Sequence, residues 1–329
     1  MTATVRDIAR LAKVSPATVS RALSRPDTVA EATRHRVLQV ADELGYQRQP
    51  SRPAERPEQT GAIGIVLPDL DNPTFASLLK SAQHRLQVRG YGVYVADSDR
   101  NAEAETELAR SLAPRVDGLI ICSPLGDPQT NLELGAEVPL LLVDGQVEGL
   151  SSVNIEYADG MRQAVTHLAA LGHRRIAYAG GRIVTWSEAQ RRVGLEQAIA
   201  EHALPDLIDL GHFFAGVGGG YAAADQLLAT DATAIICVNT FVAMGIVNRL
   251  AQRGGRVPDD LSIVEFDAAN TNHLVTPMLT TVAPSYGSVG WAAADAIVQL
   301  IGTEGSAIGR TVPVELSVQQ STSAPPTRP

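Results

Sequence analysis

From residue 61 onward the chain alternates short apolar runs with amphipathic stretches, and this alternation constrains the fold more than any other feature of its 329 residues. Residues 62–67, 92–96, 118–122, 140–143, 176–179, 234–238 and 261–266 read as strands. The spacing predicts helices between them over 75–89, 102–112, 158–171, 191–203, 219–228 and 242–253. Strand–helix alternation of this kind implies an α/β fold of parallel sheets with helices on both faces. The alternating stretch is too long for one ordinary core, so two lobes are expected. The near-echo of GLIICSP and AIICVNT says that the lobes are alike.

The formal net charge of −9, taken as an average, speaks against a nucleic-acid binder. Residues 1–60, however, hold ten Arg/Lys against seven Asp/Glu, a balance of +3, while the remaining 17 against 29 leave −12. Such asymmetry points to a basic contact module on an acidic body. The N-terminus MTATVRDIARLAK carries charges where a signal peptide would be apolar, so a cytoplasmic protein is expected. No apolar run approaches the length of a membrane span. Cys122 and Cys237 each end an apolar run without metal-ligand spacing, and read as reduced, buried thiols.

Within the basic segment, Thr4 can cap a helix with Asp7 in its first turn and Ile8, Leu11 and Ala12 on one apolar face. Ser15 followed by Pro16 reads as N-cap plus first helical position. The second helix, 16–23, turns Val19, Ala22 and Leu23 inward and leaves Ala17, Thr18, Ser20 and Arg21 outward. A third helix over 30–44 meets Gly45 at its C-terminal cap. Two helices joined by a tight turn, with small groups and one arginine on the outer face of the second, fit a DNA major groove. Arg21 can make a forked contact with guanine. The pattern also suits a three-helix bundle with a solvated face.

Ligands of open parallel sheets bind beyond the carboxyl ends of the strands. The polar residues there are Asp69, Asp71 and Asn72 after the first strand, Asp144 after LLLV, Asn239 after IICV and Asp267 after IVEF. Arg191, opening a helix after a long loop, can reach the same crevice, and Phe75, Trp186 and Phe213 offer rings for stacking. Carboxylates, amides and one arginine suit a polyhydroxylated ligand, because together they pair with both the donor and acceptor faces of hydroxyls. Each residue alone also reads as a loop, cap or core position.

The pieces VRDIA, VS-x-ATVSRAL, the TR opening the third helix and ELGY together make residues 1–46 resemble the helix-turn-helix signature of the LacI family. The resemblance continues through IGIVLPDLDNPTF, RVDGLIICSP, LAALGHRRIAYAGG, QRRVGLEQAI and RVPDDLSIVEFDAAN. It implies a core, 61–321, of two Rossmann-like lobes similar to periplasmic sugar-binding proteins: a first lobe of 61–157 plus 285–321 and a second of 158–284. Pro16, Ala17 and Arg21 would then read bases of double-stranded operator DNA. Arg6, Ser15, Thr18, Ser20, Thr33 and Tyr46 would contact it mainly through phosphates, setting register. Asn72, Asp144, Arg191, Asn239 and Asp267 would bind a small, carbohydrate-like effector, and the strand-end and ring residues read above add Asp71, Phe75 and Phe213 to that site. A homodimer with 75–89 as a contact helix is expected, because two-fold-related half-sites call for a symmetric pair of readers. No cofactor and no membrane are implied, and the polar tail 322–329 is expected to be disordered.

Departures from the family pattern are local. The linker 47–60 carries Pro50, Pro53 and Pro57, and three prolines in eight residues argue against the family's hinge helix. Its minor-groove wedge position falls on Glu55, while Arg48, Arg52 and Arg56 remain to attract phosphate. In the core, Asp144-Gly145 stands for an Asp-Arg pair, Asn239-Thr240 for Asn-Asp, and Pro284 near a glutamine-type contact. The glycine run at 216–221 superficially resembles a phosphate loop, but it lacks the spacing and the lysine of one, and no nucleophile–base pair stands out. The sequence therefore predicts a regulator, not an enzyme: a repressor controlled by a sugar-like ligand. The alternative is an effector-insensitive or corepressor-type regulator with a nucleoside- or purine-like ligand.

Overall fold

The computed structural model describes residues 5–15, 18, 19, 22, 29–43, 60–182, 184–266, 271, 274–302 and 307–326. The chain divides into two compact units, Met1–Glu58 and Gln59–Pro329.

In the first unit, α1 (Val5–Leu11) and α2 (Glu31–Glu43) close on a small core of Ile8, Ala9, Ala12, Val19, Ala22, Val37 and Ala41. Leu11, expected on that apolar face, is instead 53% exposed. The buried stripe of α1 centres on Ile8, Ala9 and Ala12, and at 3.6 residues per turn Leu11 projects roughly 100° away from it. Ser15 begins the next helical turn as the sequence predicts. Its carbonyl accepts from Thr18 and Val19 N–H at 2.9 and 3.1 Å, and its hydroxyl accepts from Thr18 N–H at 3.1 Å.

The second unit holds two sheets. β1 (Ala62–Leu67), β2 (Gly92–Asp97), β3 (Gly118–Cys122), β4 (Leu140–Val143), β5 (Ser151–Ile155) and β11 (Gly309–Val312) form a parallel sheet in the order β11-β5-β4-β3-β1-β2. β6 (Ile176–Gly180), β7 (Ile208–His212), β8 (Ala234–Cys237), β9 (Ser262–Phe266), β10 (Thr280–Pro284) and β12 (Val314–Ser317) form the other, in the order β12-β10-β9-β8-β6-β7. Only its β10–β12 pair is antiparallel among the described strands. Helices α3 (Pro73–Val88), α4 (Ala102–Leu112) and α5 (Pro128–Glu137) cross over in the first lobe. The second lobe is built with α6 (Tyr157–Ala170), α7 (Trp186–Glu201), α8 (Val217–Leu227) and α9 (Thr240–Gln252), and α10 (Tyr286–Gly302) returns to pack on α3.

Two expectations are corrected. Residues 285–321 do not all belong to the first lobe, because β12 lies within them and joins the second sheet beside β10. Nor is the tail loose through 326. Ser321 is fully buried, accepting from Thr280 N–H at 2.7 Å and donating to the Ile263 carbonyl at 2.6 Å. Buried His173 holds the Thr233 hydroxyl at 2.8 Å through Nδ1, and the Ser323 carbonyl at 2.9 Å and Ser262 hydroxyl at 3.0 Å through Nε2. His167 Nε2 meets the Thr322 hydroxyl at 3.0 Å. A polar, proline-containing tail is ordered here because it satisfies groups that burial would otherwise orphan.

Burial holds both histidines below the usual imidazole range. The folded state therefore favours their neutral forms, and the stability they contribute is present above about pH 6.5 and lost as pH falls through the depressed values. Thermal unfolding should ease from pH 7 to pH 5, each titrating site adding a slope of up to about 1.4 kcal/mol per pH unit. His173→Gln should flatten that slope. A variant that keeps the full slope would show that the clasp does not carry it.

Candidate functional site

The carboxyl ends of both sheets contribute to one partly open cleft. Ser123 follows β3 and Asp144 follows β4, at φ +46° and +60°, in the left-handed region that costs non-glycine residues about 1–3 kcal/mol each. The Ser123 hydroxyl donates to Asp144 Oδ2 at 3.0 Å, and the Tyr157 hydroxyl donates to the same oxygen at 2.9 Å. Asp144 is only 8% exposed, and its Oδ1 has no hydrogen-bond partner among the described residues. The buried Tyr286 hydroxyl, lining the same cleft, is likewise unpartnered among them. Leaving a buried polar atom unpaired costs about 1–3 kcal/mol, and both of these residues line the cleft.

Arg191, on α7, is 5% exposed. Its guanidinium carbon lies 4.2 Å from the Tyr157 ring centroid and 5.0 Å from that of Phe266. Stacking on two rings fixes the plane of the guanidinium while covering its weakly hydrated faces. Burial pushes the Asp144 carboxyl up; the Arg191 charge and the Tyr157 and Ser123 hydroxyls pull it back without cancelling the rise. One turn before Arg191, buried Glu188 accepts from Tyr178 Oη at 2.9 Å, Gly181 N–H at 3.0 Å and Arg192 Nε at 3.1 Å. It ties the turn after β6, which lines the cleft through Gly181, to the helix that carries Arg191.

Asn72, Phe75 and Asn239 line the cleft as the sequence predicts. Asn72 caps α3 by accepting from Thr74 N–H at 3.0 Å, and Asn239 caps α9 by accepting from Val242 N–H at 2.9 Å. Asp71 does not reach it: the residue is exposed and its N–H donates to Asp69 Oδ1 at 2.9 Å in a local turn. Phe213 is also corrected, since its ring packs on the second-lobe core and Ala215 lines the cleft instead. Trp186 lines a neighbouring cavity. At the rim the lobes touch: Arg182 Nη1 donates to the Arg100 carbonyl at 2.9 Å, and the Arg100 guanidinium, paired with Asp69, lies 4.8 Å from the Phe214 ring centroid.

Asp267 lies outside the described residues, as do Pro16, Ala17, Ser20, Arg21, Tyr46, Arg52 and Glu55 and with them the linker 47–59. Arg6 falls in α1, and the Thr18 hydroxyl lies 2.8 Å from that of Ser15. Thr33 lies in the first turn of α2, its N–H on the Ala30 carbonyl at 2.9 Å.

Sequence reasoning missed Ser123, Tyr157, Ser187 and Tyr286. The rule of inspecting strand ends would have found Ser123, which directly follows the predicted run 118–122. Tyr157 and Tyr286 follow β5 and β10, whose mixed sequences SSVNI and TTVAP do not read as strands. The glycine run at 216–221 proves to be a packing device. A Cβ on Gly220 would meet the Val242 carbonyl at 2.2 Å, so α8 and α9 approach closely only without side chains there.

Residues 4–49 match the family of bacterial regulatory proteins, lacI family, and residues 165–322 match the periplasmic binding protein-like domain. The chain is 36% identical over 321 residues to the HTH-type transcriptional regulator MalR of Streptomyces coelicolor, covering 92% of this chain and 91% of that protein. To the HTH-type transcriptional repressor CytR of Escherichia coli it is 29% identical over 340 residues, covering 98% and 97%. Among solved structures, the lac repressor dimer bound to operator and the anti-inducer ONPF superimposes with a TM-score of 0.74 at 28% identity, over 98% of this chain and 100% of that one. The transcriptional regulator CelR–cellobiose complex gives 0.73 at 26%, over 97% and 99%. With likeness running almost end to end through both the DNA reader and the two-lobed core, this chain belongs to the LacI family and is a DNA-binding transcription regulator, not an enzyme.

Proposed function

We propose that this protein is a homodimeric, cytoplasmic repressor whose hold on operator DNA is controlled by a small polyhydroxylated, carbohydrate-like ligand in the Asp144–Arg191 cleft. The observation that carries the reading is the buried Asp144 carboxylate, with one oxygen held by two hydroxyls and the other unpaired among the described residues. A sugar hydroxyl donates to that oxygen, while the Tyr286 hydroxyl and the Arg191 guanidinium serve the ligand's oxygens. The cellobiose held by the CelR complex supports the ligand class.

On the DNA side, Arg21, Pro16 and Ala17 read bases. Arg6, Ser15, Thr18, Ser20, Thr33 and Tyr46 meet mainly the phosphates, and Arg52 in the linker adds charge beside Glu55. Dimerisation uses the edge of the first lobe. Tyr94 and Val95 on edge strand β2 and Val88 at the end of α3 are 55%, 42% and 68% exposed, an apolar edge that a second copy would cover.

A thermal-shift screen of sugars, polyols and nucleosides tests the ligand class, with calorimetry on each hit. Asp144→Ala should lower a hit's affinity roughly 10- to 150-fold, the worth of a hydrogen bond to a charged group. Unchanged affinity would place the ligand elsewhere, and hits confined to nucleosides would replace the sugar reading by the corepressor-type one. For the reader, Arg21→Ala should cost about 1–3 kcal/mol on the operator and much less on unrelated DNA, measured by gel shift. Equal losses on both would make Arg21 a phosphate contact.

A further inference from the structure

We infer that the turn at Asp99 and Arg100 is a latch that holds the two lobes together across the rim of the cleft, so that the cleft rests closed on that side until the latch parts. The latch acts whatever the cleft binds.

Topology puts this turn where leverage is greatest. The chain crosses between the lobes after β5, after β10 and between β11 and β12. Those strands lie at or next to one edge of each sheet, while β2 and β7 form the opposite edges. Crossovers gathered on one side act as a hinge, and rotation about them parts the β2 and β7 sides most. The Asp99–Arg100 turn follows β2, and the residues it meets follow β6 and β7.

The turn reaches across at a conformational cost. Asp99 and Arg100 stand at φ +47° and +58°, two successive non-glycine residues in the left-handed region. Their own lobe pins them there. The Asp97 carboxylate accepts from Asp99 N–H at 2.9 Å and from Leu70 N–H at 3.0 Å, and Arg100 N–H donates to the Pro68 carbonyl at 2.7 Å. A glycine would make the same bend without strain, so the side chain at 100 is what the turn keeps.

Both ends of Arg100 engage the other lobe. Its carbonyl accepts from Arg182 Nη1 at 2.9 Å, and its guanidinium, paired with Asp69, lies 4.8 Å from the Phe214 ring centroid. Phe214 is 70% exposed, so this ring adds little to the core. Arg182 and Phe214 belong to one jaw, because His212 Nδ1 donates to the Gly181 carbonyl at 2.6 Å and Phe213 N–H to the Gly180 carbonyl at 3.0 Å. Arg182 also lines the cleft, so this rim and the cavity behind it open together. Contacts of this kind, partly in water, bias an open–closed equilibrium without locking it.

Double electron–electron resonance on the full-length protein measures the latch directly. Spin labels at Glu103→Cys and Gly218→Cys sit at exposed positions on α4 and α8, the helices that follow β2 and β7, while Cys122 and Cys237 are buried and escape labelling. Excess unlabelled protein keeps the distances within one chain. With no ligand added, the labelled parent should give one narrow distance population. Phe214→Ala combined with Arg182→Ala should broaden it and move its mean outward by more than about 2 Å, the scale of a domain rearrangement. Arg100→Gly, which keeps the bend and removes the guanidinium, should open the lobes while leaving the melting temperature unchanged or raised. A merely structural turn would gain stability from that glycine with no change in distance. A parent population already as broad as that of the double variant, or variants that keep the parent's distance, would overturn the latch.

Discussion

The cleft depends on a carboxylate that burial disfavours. Asp144 sits at the exit of β4, in a backbone conformation non-glycine residues seldom adopt, with its charge removed from water. Three partners make this tolerable: the Ser123 and Tyr157 hydroxyls and the positive charge of Arg191. Each comes from a different element, the ends of β3 and β5 and the second turn of α7. Each of these is in turn fixed elsewhere, Arg191 by two aromatic faces and the start of its helix by Glu188. Both lobes must be correctly assembled before the carboxylate is stabilised, and its remaining oxygen is the atom proposed above to meet a ligand.

One short strand connects this site to the start of the core. Ser123 follows β3, and Asp117 precedes it. The Asp117 carboxylate accepts from Thr60 N–H at 2.7 Å, the Thr60 hydroxyl at 2.8 Å and Gly61 N–H at 2.8 Å. Burial would raise this carboxyl, but the bonds from residues 60–62 outweigh it and hold the group low. β3 therefore bears at one end a donor to Asp144 and at the other the grip on the first core residues after the linker. A strand of this length spans about 17 Å and is stiffened by the neighbours β1 and β4 on either side. The cleft and residues 60 and 61 are thus joined through one strand.

Much of this was legible in the sequence wherever a single period dominates. The runs 62–67, 118–122 and 140–143 are all apolar because strands covered on both faces need nothing else, and they form β1, β3 and β4 over those same residues. β5, with Ser151, Ser152 and Asn154 buried, was illegible because its polar groups are satisfied by partners distant in sequence, such as the Ile308 N–H on the Ser151 hydroxyl. The same holds for the tail, whose order rests on His173 and His167 in another part of the chain. Asn72, Asp144 and Asn239 could be read from strand-end chemistry, and Arg191 from its helix after a long loop, although that helix starts earlier, at Trp186. Tyr157 and Tyr286 follow strands with weak patterns, and periodicity does not tell a core ring such as Phe213 from a lining one.

Occupancy of the Asp144 cleft is proposed to control the grip on DNA. The most direct measurement is fluorescence anisotropy of a duplex from the protein's own upstream region, titrated with and without a ligand that stabilises the core. Ligand should change the operator Kd by about 5- to 150-fold, the usual range of coupling between two sites, and leave it unchanged in Asp144→Ala, which still binds the duplex as tightly as the unliganded parent. A ligand that occupies the cleft and leaves operator affinity unchanged would contradict it, as would an Asp144→Ala protein that responds in full.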